Sequence, residues 1–202
     1  MFDLVLIIAE GGVNHNGSLA MAKELVEAAK MCGADIIKFQ FFESINLVTA
    51  YAKKANYQIN KSEETQLEML KKLELNFEDH MHLKKFCKEK KIEFLSSGFD
   101  LRSLSYLKKL NLKRYKIPSG EITNLPYLRM VGQQKKPIIL STGMSNMDEI
   151  EMALNELIKA GAKKEDITIL HCTTEYPAPI NDINLRAMQN IRDTFQVNVG
   201  YS

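Results

Sequence analysis

The sequence predicts an α/β protein built on parallel strands, and three observations carry that prediction. Short aliphatic and β-branched runs alternate along the 202 residues with longer segments of helical period. The short runs are almost continuously apolar, as strands covered on both faces are. Nearly every run ends in polar residues, which points to chemistry gathered at strand ends.

Taken in order, the first run is Val5–Glu10, followed by Gly11-Gly12-Val13-Asn14-His15-Asn16-Gly17, a loop rich in turn formers. Ser18 then caps a helix over Leu19–Met31, where Leu19, Ala22, Leu25, Val26 and Ala29 share one face and Gly33 supplies the stop. A strand over Ile36–Phe42 carries Lys38 and Gln40. Helices over Glu63–Lys72 and Phe77–Lys90 start behind Ser62 and Asn76. Strand Glu93–Gly98 bears Ser97 and precedes a helix over Leu101–Leu110, capped by Asp100. Strand Arg114–Ser119 contains Lys116 and precedes a helix over Leu125–Gln134. Strand Pro137–Thr142 ends in Ser141 and leads, through Asn146, to a helix over Met147–Ala160 that stops at Gly161. Strand Ile167–Thr173, a helix over Leu185–Thr194 and strand Val197–Ser202 complete the pattern.

A doubly wound sheet and a TIM-type (β/α) barrel both produce this alternation. A doubly wound sheet concentrates its chemistry at one switch point, whereas a barrel brings all its strand ends to one mouth. Polar groups at every strand end therefore favour the barrel, with seven of its eight strands in residues 1–202.

Composition narrows the function. Hydrophobic residues at 45% and charged residues at 26% describe a globular core and exclude disorder. Lys and Arg number 27 against 25 Asp and Glu, too balanced to predict nucleic-acid binding. The longest apolar run, Leu4–Ala9, is too short to span a membrane and lacks the flanks of a signal peptide. Three irregularly spaced cysteines, Cys32, Cys87 and Cys172, predict reduced thiols and a cytoplasmic protein with no membrane partner.

No GxGxxG, P-loop, HExxH or CxxC pair is present. The informative set is Lys38 and Lys116 with the hydroxyls of Ser97, Ser119, Ser141 and Ser202, which together suit a phosphate-bearing anion. Taken singly, a strand-end lysine can snorkel to solvent and a serine can cap the next helix. Glu10, ahead of two glycines, has the placement of a general acid/base. His80 and His82 read as solvated, His171 as a packed core histidine and Cys172 as inert. No metal set with credible spacing appears.

These motifs resemble those of the sialic acid (N-acetylneuraminate) synthase family. The resemblance rests on Ile7-Ile8-Ala9-Glu10-Gly11-Gly12-Val13-Asn14-His15-Asn16-Gly17, Ile37-Lys38-Phe39-Gln40 and Tyr115-Lys116-Ile117-Pro118-Ser119-Gly120-Glu121. It continues in Leu140-Ser141-Thr142-Gly143-Met144 and His171-Cys172-Thr173-Thr174-Glu175-Tyr176-Pro177, and Lys116 to Leu128 looks closest to the legionaminic acid synthase branch. The resemblance implies a metal-dependent condensation of phosphoenolpyruvate with an N-acetylmannosamine-type sugar. Carried over, Lys38, Ser97, Lys116, Ser119, Ser141, Thr174 and Ser202 would hold phosphoenolpyruvate. Glu10 would be the acid/base, and Gln40, Tyr176 and Asn60 would contact the sugar.

Two departures from the family pattern stand out. Ser96-Ser97 replaces the usual Thr-Pro, and Thr174 stands where an asparagine is common. The family's two metal-binding histidines, for Mn or Mg, would lie beyond Ser202, as would the eighth strand and a C-terminal antifreeze-like (SAF) domain. The expectation is thus an incomplete barrel over residues 1–202, without a metal site of its own, from a full-length homodimer. An open barrel exposes strand edges, so poor stability alone, oligomerisation or completion by another polypeptide is expected. Two other readings stay open: a non-catalytic barrel half that serves as an assembly partner, and a Schiff-base aldolase using Lys38 or Lys116.

Overall fold

Strand pairing follows chain order throughout. A computed structural model describes residues 5–54 and 64–202, and the chain divides into two units, residues 1–112 and 113–202. The sequence-based candidates Asn60 and Ser62 lie outside the described residues.

In the first unit the elements are β1 (Ile8–Gly12), α1 (Leu19–Met31), β2 (Ile36–Phe41), α2 (Ser44–Leu47), α3 (Gln66–Lys71), α4 (Phe77–Glu89), β3 (Glu93–Gly98) and α5 (Leu101–Lys109). The sheet order is β1-β2-β3, all parallel, with Ile8 opposite Ile36 and Ile36 opposite Glu93. Strand alternation sorts β2 into two sets. Ile37, Phe39 and Phe41 face the core made with Ala22, Val26 and Ala29 of α1, Leu83 and Cys87 of α4, and Leu107 of α5. Lys38 and Gln40 take the opposite face. Burial pushes the Cys87 thiol up to about 12, so it is an unreactive core group.

The second unit runs β4 (Tyr115–Ile117), α6 (Leu125–Gly132), β5 (Ile138–Ser141), α7 (Met147–Lys159), β6 (Ile167–His171), α8 (Ala187–Phe195) and β7 (Asn198–Tyr201). Its parallel sheet has the order β4-β5-β6-β7. Ile117, Leu140, Ile167 and Ile169 are buried, as are Leu128 and Val131 of α6 and Ala153, Leu154 and Leu157 of α7. The protein is therefore an α/β fold with parallel sheets, as the alternation predicts.

The expected caps hold where they can be read. Ser18 accepts from the Met21 amide at 3.3 Å, Asp100 from Ser103 at 2.8 Å, and Asn76 and Asn146 form reciprocal boxes with Asp79 and Glu149. Gly33 and Gly161 follow α1 and α7 with φ of 81° and 117°. The cap of α3 is Thr65.

Boundaries differ in places. The first strand starts at Ile8, not Val5, because its partner begins at Ile36; Val5 is 78% exposed. It also runs on through Gly11 and Gly12, residues read as loop from sequence, by way of a bulge. Helix α2 is held from a distance: the Glu74 carboxylate accepts from the Ser44 amide at 2.6 Å and from its hydroxyl. No described helix is long and apolar enough to cross a membrane.

Candidate functional site

The first unit lines up four of the expected residues on one sheet face. Glu10 lies directly opposite Lys38, and Ser97 directly opposite Gln40. Paired residues on adjacent strands share a face, so Glu10, Lys38, Gln40 and Ser97 stand together. Glu10 and Lys38 form an ion pair in which the lysine side chain is 12% exposed and the glutamate side chain 51%. A half-exposed pair adds little stability, so its consequence is positional: the carboxylate is held at the strand end. Immediately afterwards β1 carries one residue more than β2, and the register moves from Glu10–Lys38 to Gly12–Phe39. Ser97 is buried, and Gln40 half-buried.

The second unit gathers the other lysine with hydroxyls. Lys116 is buried; its ammonium donates to Ser141 Oγ and, at 3.1 Å, to the Ile117 carbonyl. Ser119 opens a 3-10 turn after β4, and its Oγ accepts from the Gly143 amide at 2.9 Å. The hydroxyls of Ser119 and Thr174 both crowd Gly143, leaving no room there for a Cβ. Lys116, Ser119, Ser141 and Thr174 thus meet around the Ser141–Gly143 turn. Donors fixed by other protein groups before a ligand arrives are what anion binding requires. Tyr176, after which a cis peptide bond leads to Pro177, and Ser202 are exposed.

Sequence reasoning missed the part played by Cys172, read as inert. Its Sγ accepts from the Thr142 amide at 3.3 Å and lies 3.6 Å from Ser119 Oγ, so it braces the same turn. Only its position two residues before Thr174 hinted at this. His171 is not a packed core histidine: it is half-buried, its Nε2 accepts from the Asn184 amide at 3.3 Å, and its ring lies 5.9 Å from Tyr201. Among the described residues no three His, Cys, Asp or Glu side chains stand together as a metal set.

His82 is exposed as expected, but His80 is buried at 0% exposure. The charged sequence around it hides packing against Phe41, centroid to centroid 4.8 Å, and Phe94, 6.1 Å. Burial pushes the His80 imidazole from the usual 6.5 down to about 4. Below pH 6.5 the unfolded chain therefore binds a proton that the folded chain refuses. The corresponding stability is complete above pH 6.5 and declines as pH falls to about 4, by about 3 kcal/mol. Urea unfolding midpoints across that range are expected to show this loss, and His80→Gln to flatten it.

Comparison with known proteins identifies the family. The NeuB family matches residues 25–202. N,N'-diacetyllegionaminic acid synthase of Campylobacter jejuni is 56% identical over 199 residues, covering 98% of this chain and 60% of the relative. The synthase of the same name from Legionella pneumophila is 50% identical over 200 residues, covering 97% of this chain and 56% of the relative. This chain therefore spans somewhat under two thirds of the length of these relatives. Among solved structures, the N-acetylneuraminic acid (sialic acid) synthetase of Leptospira borgpetersenii superposes with a TM-score of 0.84 at 29% identity, covering 98% of this chain and 65% of that one. The family match over most of the chain bears out the sequence resemblance: the chain belongs to the NeuB family.

Proposed function

We propose that the chain carries seven strands of a TIM-type (β/α) barrel and serves a nonulosonic acid synthase. That enzyme condenses phosphoenolpyruvate with an N-acetylmannosamine-type or 2,4-diacetamido-trideoxy sugar. The observation that carries the reading is buried Lys116, already tied to Ser141 beside the Ser119–Gly143 hydrogen bond. This is a cation with hydroxyl donors in the form a phosphate or carboxylate takes up.

In this reading Lys38, Ser97, Lys116, Ser119, Ser141, Thr174 and Ser202 bind phosphoenolpyruvate, and Gln40 and Tyr176 contact the sugar. The methylene carbon of phosphoenolpyruvate forms a bond to the aldehyde carbon of the open-chain sugar, and the aldehyde oxygen takes up a proton. Water adds to the adjacent phosphate-bearing carbon with loss of a proton, and the C–O bond to phosphate breaks to leave a keto group and free phosphate. Glu10 takes or returns the protons of these steps, held in place by Lys38. Lys38 faces a carboxylate, and Lys116 donates to a hydroxyl and a carbonyl. That is an arrangement for holding charge, in contrast to the desolvated amine of a Schiff-base nucleophile.

The test is phosphate release with phosphoenolpyruvate, Mn²⁺ and each sugar in turn, on this chain and on the same chain extended past Ser202. Sugar-dependent release by either supports the reading and names the sugar. Failure of both with every sugar overturns it.

A further inference from the structure

Cys172 stands among the hydroxyls of the second unit, and the proposed chemistry gives it no part. It is half-buried directly after β6. Leu170, two residues earlier, lies opposite Ser141, so this face of the sheet carries the Lys116–Ser141 contact. The Thr142 amide donates to Cys172 Sγ at 3.3 Å, and the thiol donates to the Leu170 carbonyl at 3.6 Å. The same carbonyl accepts from the Thr142 hydroxyl at 2.8 Å. Ser119 Oγ lies 3.6 Å from the sulfur and accepts from the Gly143 amide at 2.9 Å.

These contacts assign the protons. A thiol has one proton and a carbonyl can only accept, so the Leu170 contact takes the proton of Cys172. An amide can only donate, so Gly143 takes a lone pair of Ser119 Oγ. The proton left to place is that of the Ser119 hydroxyl, and Sγ faces it with lone pairs. Sulfur is a weak acceptor, so this bond is easily given up. An incoming phosphate or carboxylate oxygen is charged, and takes the same proton in a bond roughly twice as strong as a neutral one.

We propose that Cys172 is a positioning residue that holds the Ser119 hydroxyl with its proton on sulfur, ready to turn to an oxygen of phosphoenolpyruvate. This rests on the reading that Ser119 binds phosphoenolpyruvate. Sulfur suits the part in two ways. Its large radius spans a 3.6 Å gap that lies beyond the reach of a hydroxyl acceptor. Its weakness as an acceptor also keeps the unliganded arrangement from competing with the ligand.

The test is the dissociation constant for phosphoenolpyruvate, measured by calorimetry on this chain and on the chain extended past Ser202. Urea midpoints are taken alongside. Ser119→Ala is expected to weaken binding about 10–100-fold, the range for one hydrogen bond to a charged group. Cys172→Ala is expected to weaken it about 3–10-fold, the range for one neutral bond. Adding Cys172→Ala to Ser119→Ala is expected to cost nothing further, because Cys172 acts through that hydroxyl. A purely structural role would weaken binding in both backgrounds alike. Cys172→Ser keeps an acceptor for the Thr142 amide, so its urea midpoint is expected to stay near that of the parent. Its affinity is expected to fall as in Cys172→Ala, and it carries the same cycle if the alanine variant does not fold. Additive losses, or parent affinity in either Cys172 variant, overturn the role of Cys172 and leave that of Ser119 standing. Parent affinity in Ser119→Ala, or no binding by either chain, overturns the reading of Ser119 and the role of Cys172 with it.

Discussion

Lys116→Met is expected to lower phosphoenolpyruvate-dependent phosphate release by about 10²–10³-fold, the usual consequence of losing one prearranged charge-stabilising donor. The ammonium is buried and donates to Ser141 Oγ and the Ile117 carbonyl, so its position is set before substrate arrives. Methionine keeps the length and apolar stem of lysine without burying a charge, so the unfolding midpoint is expected to stay near that of the parent. Lys116→Arg is not expected to restore activity. A planar guanidinium cannot replace a compact ammonium wedged between one hydroxyl and one carbonyl. Full release by Lys116→Met would remove Lys116 from the phosphoenolpyruvate site.

Phe39→Ala is expected to cost about 3–5 kcal/mol of folding stability, the range for deleting a buried phenyl ring. Phe39 is 0% exposed and lies between His15 and Phe94. The surrounding rings belong to different elements, so they cannot collapse together into the space left behind. Its neighbours Lys38 and Gln40 project from the opposite face of β2, and loosening the core face therefore loosens the site face as well. A urea midpoint within error of the parent would show that this cluster does not support the first unit. Phe39→Leu, which keeps most of the volume, is expected to recover most of the loss.

Helix α1 was legible to the residue, because its apolar face, Ser18 cap and Gly33 stop are all local. Strand cores were legible for the same reason, while strand ends were set by partners: β1 begins where Ile36 offers pairing, not where the apolar run begins. Helix α2 depends on Glu74, thirty residues away, and leaves no local signature. The two lysines, Glu10 and the strand-end hydroxyls could be read from position alone. What could not be read was who holds whom, as with Gly143 on Ser119 or Cys172 against Thr142. His80 shows the same limit in reverse: its helix looks solvated, yet Phe41 and Phe94 from strands β2 and β3 pack against its ring.

The strand registers also set an order in time. The β1–β2 pairing closes between Ile8 and Ile36, whereas β2–β3 must wait for Glu93, about twice as far along the chain. The entropy of that longer closure differs by only about 0.6 kcal/mol, so the delay arises chiefly from synthesis. A chain made from its N-terminus at about 5–20 residues per second can complete β1–α1–β2, and with it the Glu10–Lys38 pair, seconds before Ser97 exists. During that interval the β3-side edge of β2 stands open on the ribosome. A chaperone that recognises extended apolar backbone would find it first at Ile36–Phe41.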